Sequence, residues 1–270
     1  MNEIYAKERL ILALDPPLEE IIEMMKNNSP EDVKHSIREN AVHIIDELRG
    51  KVGLVKVNYV YSMVPDIAEI IHRRGINVWL DGKYKDIPRS VEGWALGAVL
   101  NDIDMVTIHA DGGLDMIKYA TEAARLAGEL KFYKNLDILA ISVLTSIDDR
   151  VLNEQLDVSG KVADKVKKYA SLAEKGGVNG IVASAQESPV LREELGPEML
   201  IVTPGIKPEW AAKAKDQKRI TTPYQAIKNG STHLVVGSAI IKAENYGKTR
   251  AEAAEAIVTE IDCALSEMQI

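Results

Sequence analysis

Residues 77–88 read NVWLDGKYKDIP: a short apolar run, Asn77–Asp81, ends in charge and passes into a loop dense in Lys and Asp. Seven comparable runs flank it. Leu10–Asp15 (LILALD) and Gly53–Asn58 (GLVKVN) precede it; Met105–Ala110, Asp137–Leu144, Gly180–Ser184, Met199–Gly205 and His233–Ser238 follow. They recur at intervals of very roughly 30 residues, the alternation expected of strands in a parallel sheet. Between them apolar residues fall at three- and four-residue spacing. Val64–Arg74 carries Ile67, Ile70 and Ile71 on one face, and Lys161–Lys175 carries Val162, Val166, Tyr169, Ala170 and Ala173. The connection Pro17–Lys51 holds two such patterns, with Ser29 as N-cap and Pro30 at the first helical position of the second. Eight βα units predict an α/β protein, a (β/α)8 TIM barrel, as a single domain over residues 1–270. A doubly wound open sheet is the alternative, because a strand count does not prove closure. No Pro/Gly/Ser-rich linker or break in composition divides the chain.

Composition narrows the function. The chain has 270 residues, 33 Lys+Arg against 41 Asp+Glu, a net charge of −8 and 46% apolar residues. A chain of this length buries roughly three-quarters of its unfolded surface, so it needs neither disulfides nor a structural metal. Its single cysteine, Cys263, cannot form an intrachain disulfide, and no Cys/His cluster suits zinc. The acidic balance argues against binding nucleic acid or an anionic membrane. No apolar run approaches the length of a membrane span, and the first residues, MNEIYAKERL, lack the apolar segment of a signal peptide. The expectation is a cytoplasmic globular protein.

A barrel places its chemistry at the carboxyl ends of its strands. The polar residues there are Asp15, Lys56, Asp81, Lys83, Asp86, His109, Asp111, Thr145, Ser146 and Ser184. An extended backbone puts Asp81 and Lys83 on one face, with Asp86 following in the loop. An ammonium between carboxylates is favoured as the cation, able to return a proton to a carbanion but a poor imine-forming nucleophile. A carboxylate beside an anionic substrate group repels it, and the repulsion is relieved if that group leaves as a neutral molecule. The pattern therefore favours decarboxylation with proton return. The bare spacing Asp-x-Lys-x-x-Asp arises by chance in roughly one chain in twenty and reads equally as a surface salt bridge. Its place at a strand end, beside Lys56, sharpens it.

The run LDGKYKDIP, with LALD at Asp15 and VKV at Lys56, resembles the orotidine 5′-monophosphate decarboxylase family. HADGG (109–113), VLTSID (143–148), GIVASAQE (180–187), VTPGIKP (202–208), DQKRITTP (216–223) and LVVG (234–237) extend the resemblance in order along the chain. It implies a homodimeric decarboxylase that forms UMP and CO2 in pyrimidine synthesis, with no metal or organic cofactor. Lys83 would protonate C6 of the pyrimidine, and Lys56, Asp81 and Asp86 would complete the charged network. Asp15 and Lys56 would hold the ribose hydroxyls. Asp86 and Ser90 would reach the neighbouring subunit's site, Ser90 standing where the family often has Thr. Ile87 would contribute to substrate binding, and Thr145 and Ser146 would meet the pyrimidine edge. Pro204 and Gln217 would bracket a closing loop, with Gln217 bridging towards the phosphate, and Gly237 and Ser238 would bind the phosphate.

The sequence departs from the family's pattern at Ser238. The family's run here is VVGR, whose arginine clamps the phosphate; this chain reads VVGSAI. Ser supplies one neutral donor in place of a bidentate guanidinium. Backbone amides of Gly237 and Ser238 remain, and Lys207, Lys218, Arg219 and Lys242 are candidates for the missing charge. The loop Lys207–Lys218 has no glycine where family members often have several, and its Ala/Lys content allows a helical turn. Sister decarboxylases and synthases of the same barrel group, which use Mg2+ and an enediolate, and a degenerate nucleotide-binding barrel are the alternatives. The intact DIP, LTS and TPGI runs and the Asp81/Lys83/Asp86 set argue against them. Elsewhere plain readings are preferred. His109 is a hydrogen-bonded core or mouth histidine, Asp111 a loop or cap residue, and Gly112, Gly113, Gly176 and Gly177 are turn and helix-end glycines. Asp148 and Asp149 are solvated, Lys165, Lys167 and Lys168 form a surface face, Trp210 is packing, and Met24, Met25 and Cys263 are core.

Overall fold

The computed structural model describes residues 5–212 and 221–268. Eight strands alternate with helices: β1 Leu10–Ala13, β2 Leu54–Val57, β3 Asn77–Tyr84, β4 Met105–His109, β5 Asp137–Ile141, β6 Gly180–Val182, β7 Leu200–Thr203 and β8 His233–Val236. The helices are α1 Leu18–Met25, α2 Pro30–Glu47, α3 Val60–Met63, α4 Ile67–His72, α5 Pro88–Leu100, α6 Leu114–Gly128, α7 Val162–Gly176, α8 Ser188–Leu195, α9 Pro223–Lys228, α10 Ser238–Ile241 and α11 Arg250–Ser266. The strands pair in chain order and β8 closes onto β1, all parallel. The fold is a (β/α)8 TIM barrel, and closure rules out the open sheet.

Strand parity builds two cores. Ile11, Ala13, Leu54, Trp79, Met105, Leu139, Val202 and Val235 fill the barrel interior. Their neighbours Leu10, Leu12, Val55, Val57 and Val78 face the helices in a larger outer core. Strands buried on both faces read as continuous apolar runs, which is why these were visible without alternation. The Ser29 hydroxyl accepts from the Asp32 amide at the start of α2, as the sequence indicates. The pattern over Val64–Arg74 yields a shorter helix, α4. Val64 precedes Pro65 and is held out of the helical region at φ −129°, ψ 84°, so regular structure restarts only at Ile67.

Two apolar side chains assigned to the core are on the surface. Met25 is exposed, and so is Cys263; on α11 it is Ile261 and Ala264 that turn inward. Asp148 and Asp149 are not merely solvated, because they accept from the amides of Val151 and Val162 and fix the loop before α7. Among the described residues no helix is long and apolar enough to cross a membrane.

The amino face of the barrel is stitched by side chains that the sequence reading passed over. Asp104 accepts from the Val78 amide, Asn179 from Ile138 and Thr232 from Ile201. In each case the residue just before an even-numbered strand caps the odd-numbered strand beside it, satisfying an amide at the bottom of the sheet.

His233 opens β8 on this face. Burial, with a smaller push from the Arg9 guanidinium, lowers its imidazole to about 4. The unfolded chain protonates the ring near 6.5, so the stability due to the neutral ring is complete above pH 6.5 and is lost as pH falls towards 4. The separation corresponds to about 3 kcal/mol. The gap in unfolding free energy between wild type and His233→Gln is therefore expected to shrink by about that amount on acidification from neutral pH to about 4. Urea titrations at the two pH values measure it, and a gap that does not change with pH would contradict the assignment.

Candidate active site

The carboxyl ends of β1, β2 and β3 carry one chain of charge. Lys56, on β2, pairs in register with Ala13 and with Trp79, so its side chain projects between β1 and β3 into the barrel mouth. Its Nζ lies 3.3 Å from Asp15 Oδ2 and 3.4 Å from Asp81 Oδ2. Asp81 Oδ2 in turn accepts from Lys83 Nζ at 2.6 Å. The order Asp15–Lys56–Asp81–Lys83 thus alternates in sign, with the two central groups buried and both ends more open to the mouth. Alternation is what makes burial of Lys56 and Asp81 tolerable, since an unpaired charge there would cost several kcal/mol, of the order of 3–5.

Lys83 reaches this position by an unexpected backbone route. The expected extended run through Asp81–Lys83 is broken: Lys83 has φ +50°, in the left-handed region. From Leu80 to Tyr84 the chain of β3 advances four residues while β4 advances two, from Val106 to Ile108. The surplus forms a bulge that re-aims the lysine, as bulges beside active sites do. Gly82 sits within it, where a Cβ would fall 2.7 Å from the Tyr84 ring. A non-glycine residue in this region costs of order 1–3 kcal/mol and is held by its surroundings.

The charge chain lines a cavity of about 330 Å³ whose other walls are largely apolar, including Ala13, Trp79, Ile141, Val182 and Val235. Trp79 is fixed by donation from its Nε1 to Thr107 Oγ1 at 2.7 Å. Strand parity would have identified this wall, because Ala13 stands two residues before Asp15 and Trp79 two before Asp81. One oxygen, Asp15 Oδ1, is buried with no hydrogen-bond partner. A buried acceptor left open in this way is ready for a donor from a ligand.

Of the residues singled out in the sequence, Asp15, Lys56, Asp81, Lys83, Thr145, Pro204 and Gly237 line this cavity. Gly237 lies against β1, with a Cβ at this position only 3.3 Å from Ala13 Cβ. Ser238 begins α10 and faces an adjoining cavity. Asp86 does not join the charge chain: it is exposed, and its Oδ1 accepts from the Ile87 amide. Ile87, Ser90 and Ser146 likewise stand outside the cavity wall. Gln217, Lys218 and Arg219 lie outside the described residues.

Beside the mouth, Asp111 accepts from Lys85 at 2.6 Å, and His109 Nδ1 is 3.6 Å from Asp111. Burial lowers the His109 imidazole, Asp111 opposes the shift, and Lys85 and Lys83 reinforce it. The ring is neutral at neutral pH and sits in the mouth without lining the cavity. The helical turn expected after Lys207 is present as Glu209–Ala211. Trp210 packs away from the mouth, edge-on to Tyr246 with ring centres 5.6 Å apart.

Fold and mouth together define a (β/α)8 barrel with an alternating carboxylate–ammonium chain at its catalytic face. The family model for the orotidine 5′-phosphate decarboxylase/HUMPS family matches residues 8–256, and the chain belongs to that family. It is 41% identical over 218 residues to the orotidine 5′-phosphate decarboxylase of Geotalea daltonii, covering 80% of this chain and 88% of that protein. It is 38% identical over 259 residues to that of Heliobacterium modesticaldum, covering 95% and 96%. Among solved structures, the orotidine 5′-phosphate decarboxylase of Lactobacillus acidophilus superposes with a TM-score of 0.71 at 28% identity, covering 93% of this chain and 98% of that one.

Proposed function

We propose that the protein decarboxylates orotidine 5′-monophosphate to UMP and CO2 in pyrimidine biosynthesis. The observation that carries this reading is the Asp15–Lys56–Asp81–Lys83 chain in the mouth of a barrel whose relatives bear that name. In the proposed reaction the C6–carboxylate bond breaks, CO2 leaves, and the electron pair stays on C6. The Lys83 ammonium then delivers its proton to that carbon. Asp81 and Lys56 hold Lys83 in place before the reaction begins, so no reorientation is needed as charge develops. Asp81, 2.6 Å from Lys83, also places negative charge beside the departing carboxylate.

The open Asp15 Oδ1 is the proposed acceptor for a ribose hydroxyl, with Lys56 beside it. Thr145 and Pro204 would face the base, and Gly237 and Ser238 would lie near the phosphate. Ser146 and Gln217 remain proposed substrate contacts on the resemblance alone. For Asp86, Ile87 and Ser90 the reading requires a second copy of the chain. It is supported by their position outside this subunit's cavity and by exposed apolar side chains along the same segment, Ile87 at 67% and Leu100 at 71%. We place all of this in one domain.

The direct test is to follow loss of the orotate ultraviolet absorbance when the EDTA-treated protein meets orotidine 5′-monophosphate. Rapid loss with formation of UMP is expected. No conversion by protein that still binds UMP would overturn the reading in favour of a nucleotide-binding barrel. Activity only with added Mg2+ on a sugar phosphate would place the chain in the sister branch.

A further inference from the structure

The face of the barrel opposite the mouth holds two arginines that no carboxylate answers. Arg9 ends the helical turn Ala6–Arg9 before β1, and Arg192 lies on α8. Both are partly buried. Their guanidinium groups converge on the turn ahead of β8. Arg9 Nη1 donates to the Thr232 carbonyl at 3.2 Å, and Arg192 Nε and Nη2 donate to the Gly230 carbonyl at 3.2 and 3.1 Å. Arg192 Nη1 also donates to the Gly196 carbonyl.

Carbonyls occupy some of these N–H groups and leave the charge unanswered. Elsewhere in this acidic chain arginines meet an acid: Arg74 meets Asp46, and Arg250 meets Glu47. Arg9 and Arg192 have no such partner among the described residues, and no carboxylate acts on either. Burial lowers both guanidiniums, and the charge of Arg9 lowers Arg192 further. Arg9 uses one of its five donors, and its Nε is buried with no acceptor at all. A buried donor left open marks the place of an ordered water or an ion. Beside two unanswered guanidiniums, that ion is an anion.

We propose that Arg9 and Arg192 form a site for a small tetrahedral oxyanion, inorganic phosphate or sulfate, on the amino face of the barrel. Planar guanidinium forks match the oxygens of such an ion and shed water more readily than an ammonium. The anion gives Arg9 its missing acceptor and relieves the repulsion between the two cations. Arg9 precedes β1 and Thr232 precedes β8, so the ion braces the seam where β8 closes onto β1. The site owes nothing to the chemistry at the mouth and stands apart from the decarboxylase reading.

The experiment follows the imidazole resonances of His233 by NMR at neutral pH as sodium sulfate is added, with sodium chloride of equal ionic strength as the control. His233 opens β8 within reach of the Arg9 charge, at the end of the barrel away from the mouth, and so reports on this face. Wild type is expected to show a saturable shift with a dissociation constant of about a millimolar. Arg9→Gln strands no carboxylate, so the protein should fold, and it should weaken the anion by at least about tenfold. Arg192→Lys, which keeps the charge but loses the fork, should weaken it less. Sulfate should also raise the urea midpoint of wild type more than that of Arg9→Gln, because the general effect of the salt is common to both. A shift that grows with salt without saturating overturns the proposal, as does a binding curve unchanged in Arg9→Gln. Inorganic phosphate acting where glycerol phosphate does not supports a free anion as the ligand, and an equal response to both extends the site to phosphate monoesters.

Discussion

Lys83→Ala is expected to lower turnover of orotidine 5′-monophosphate by at least about a thousandfold while leaving affinity for UMP within about threefold. The ammonium is the group that would supply the proton to C6, and its Nζ is held 2.6 Å from Asp81 Oδ2. UMP already carries its proton at C6 and has no carboxylate, so it makes no demand on that step. Asp81 keeps Lys56 at 3.4 Å in the variant, so the buried carboxylate is not stranded and the protein is expected to fold. Stopped assays over hours, with UMP binding measured in parallel, check the split. Substantial remaining turnover would take the proton-donor role away from Lys83.

The second large effect is on stability. In Lys56→Met the buried Asp81 keeps only the half-exposed Lys83, and Asp15 loses its cation altogether. We expect a cost of about 3 kcal/mol in unfolding free energy, because breaking one partner of a buried pair strands the other. Replacing both partners, Lys56→Met with Asp81→Leu, should recover most of that loss while activity stays absent. Urea unfolding of the two singles and the double closes the cycle. Additive losses would mean that Lys56 and Asp81 are not energetically coupled, against the 3.4 Å separation. The expected outcome separates two properties: the charge chain is needed for the proposed chemistry, and an apolar substitute serves the fold as well.

The barrel was legible because strands buried on both faces leave unbroken apolar runs, and eight of them fell in one chain. The charged ends of β1–β3 were legible too, since Asp15 and Asp81 close such runs and Lys56 stands two residues before the end of another. The bulge was not, because nothing in Asp81-Gly82-Lys83 distinguishes two surplus residues from a regular pleat until β4 is laid alongside. The amino-face caps Asp104, Asn179 and Thr232 were missed for a similar reason: each acts on the neighbouring strand, not on its own. Cys263 and Met25 were misassigned because an apolar residue near a helical stripe is not always in it, and a one-residue offset turns a side chain by about 100°. Asp86, Ile87 and Ser90 were chosen by resemblance, and the folded chain leaves them outside the cavity.

Closure of the barrel has a consequence for synthesis. Ile11 pairs with Val235, and Asp15 and Gly237, which line one cavity, come from opposite ends of the chain. A ribosome that has released β1–β7 has made Asp15, Lys56, Asp81 and Lys83, yet the first strand still waits for the last. Until β8 emerges, β1 has one unpaired edge and the cavity lacks the wall that Val235 and Gly237 supply. Such long-range pairing is slow to form and leaves sticky edges exposed meanwhile. A ligand of this cavity therefore cannot assist the growing chain, and a transcript cut short before β8 yields a protein that holds the charged residues of β1–β3 without the closed barrel that gathers them.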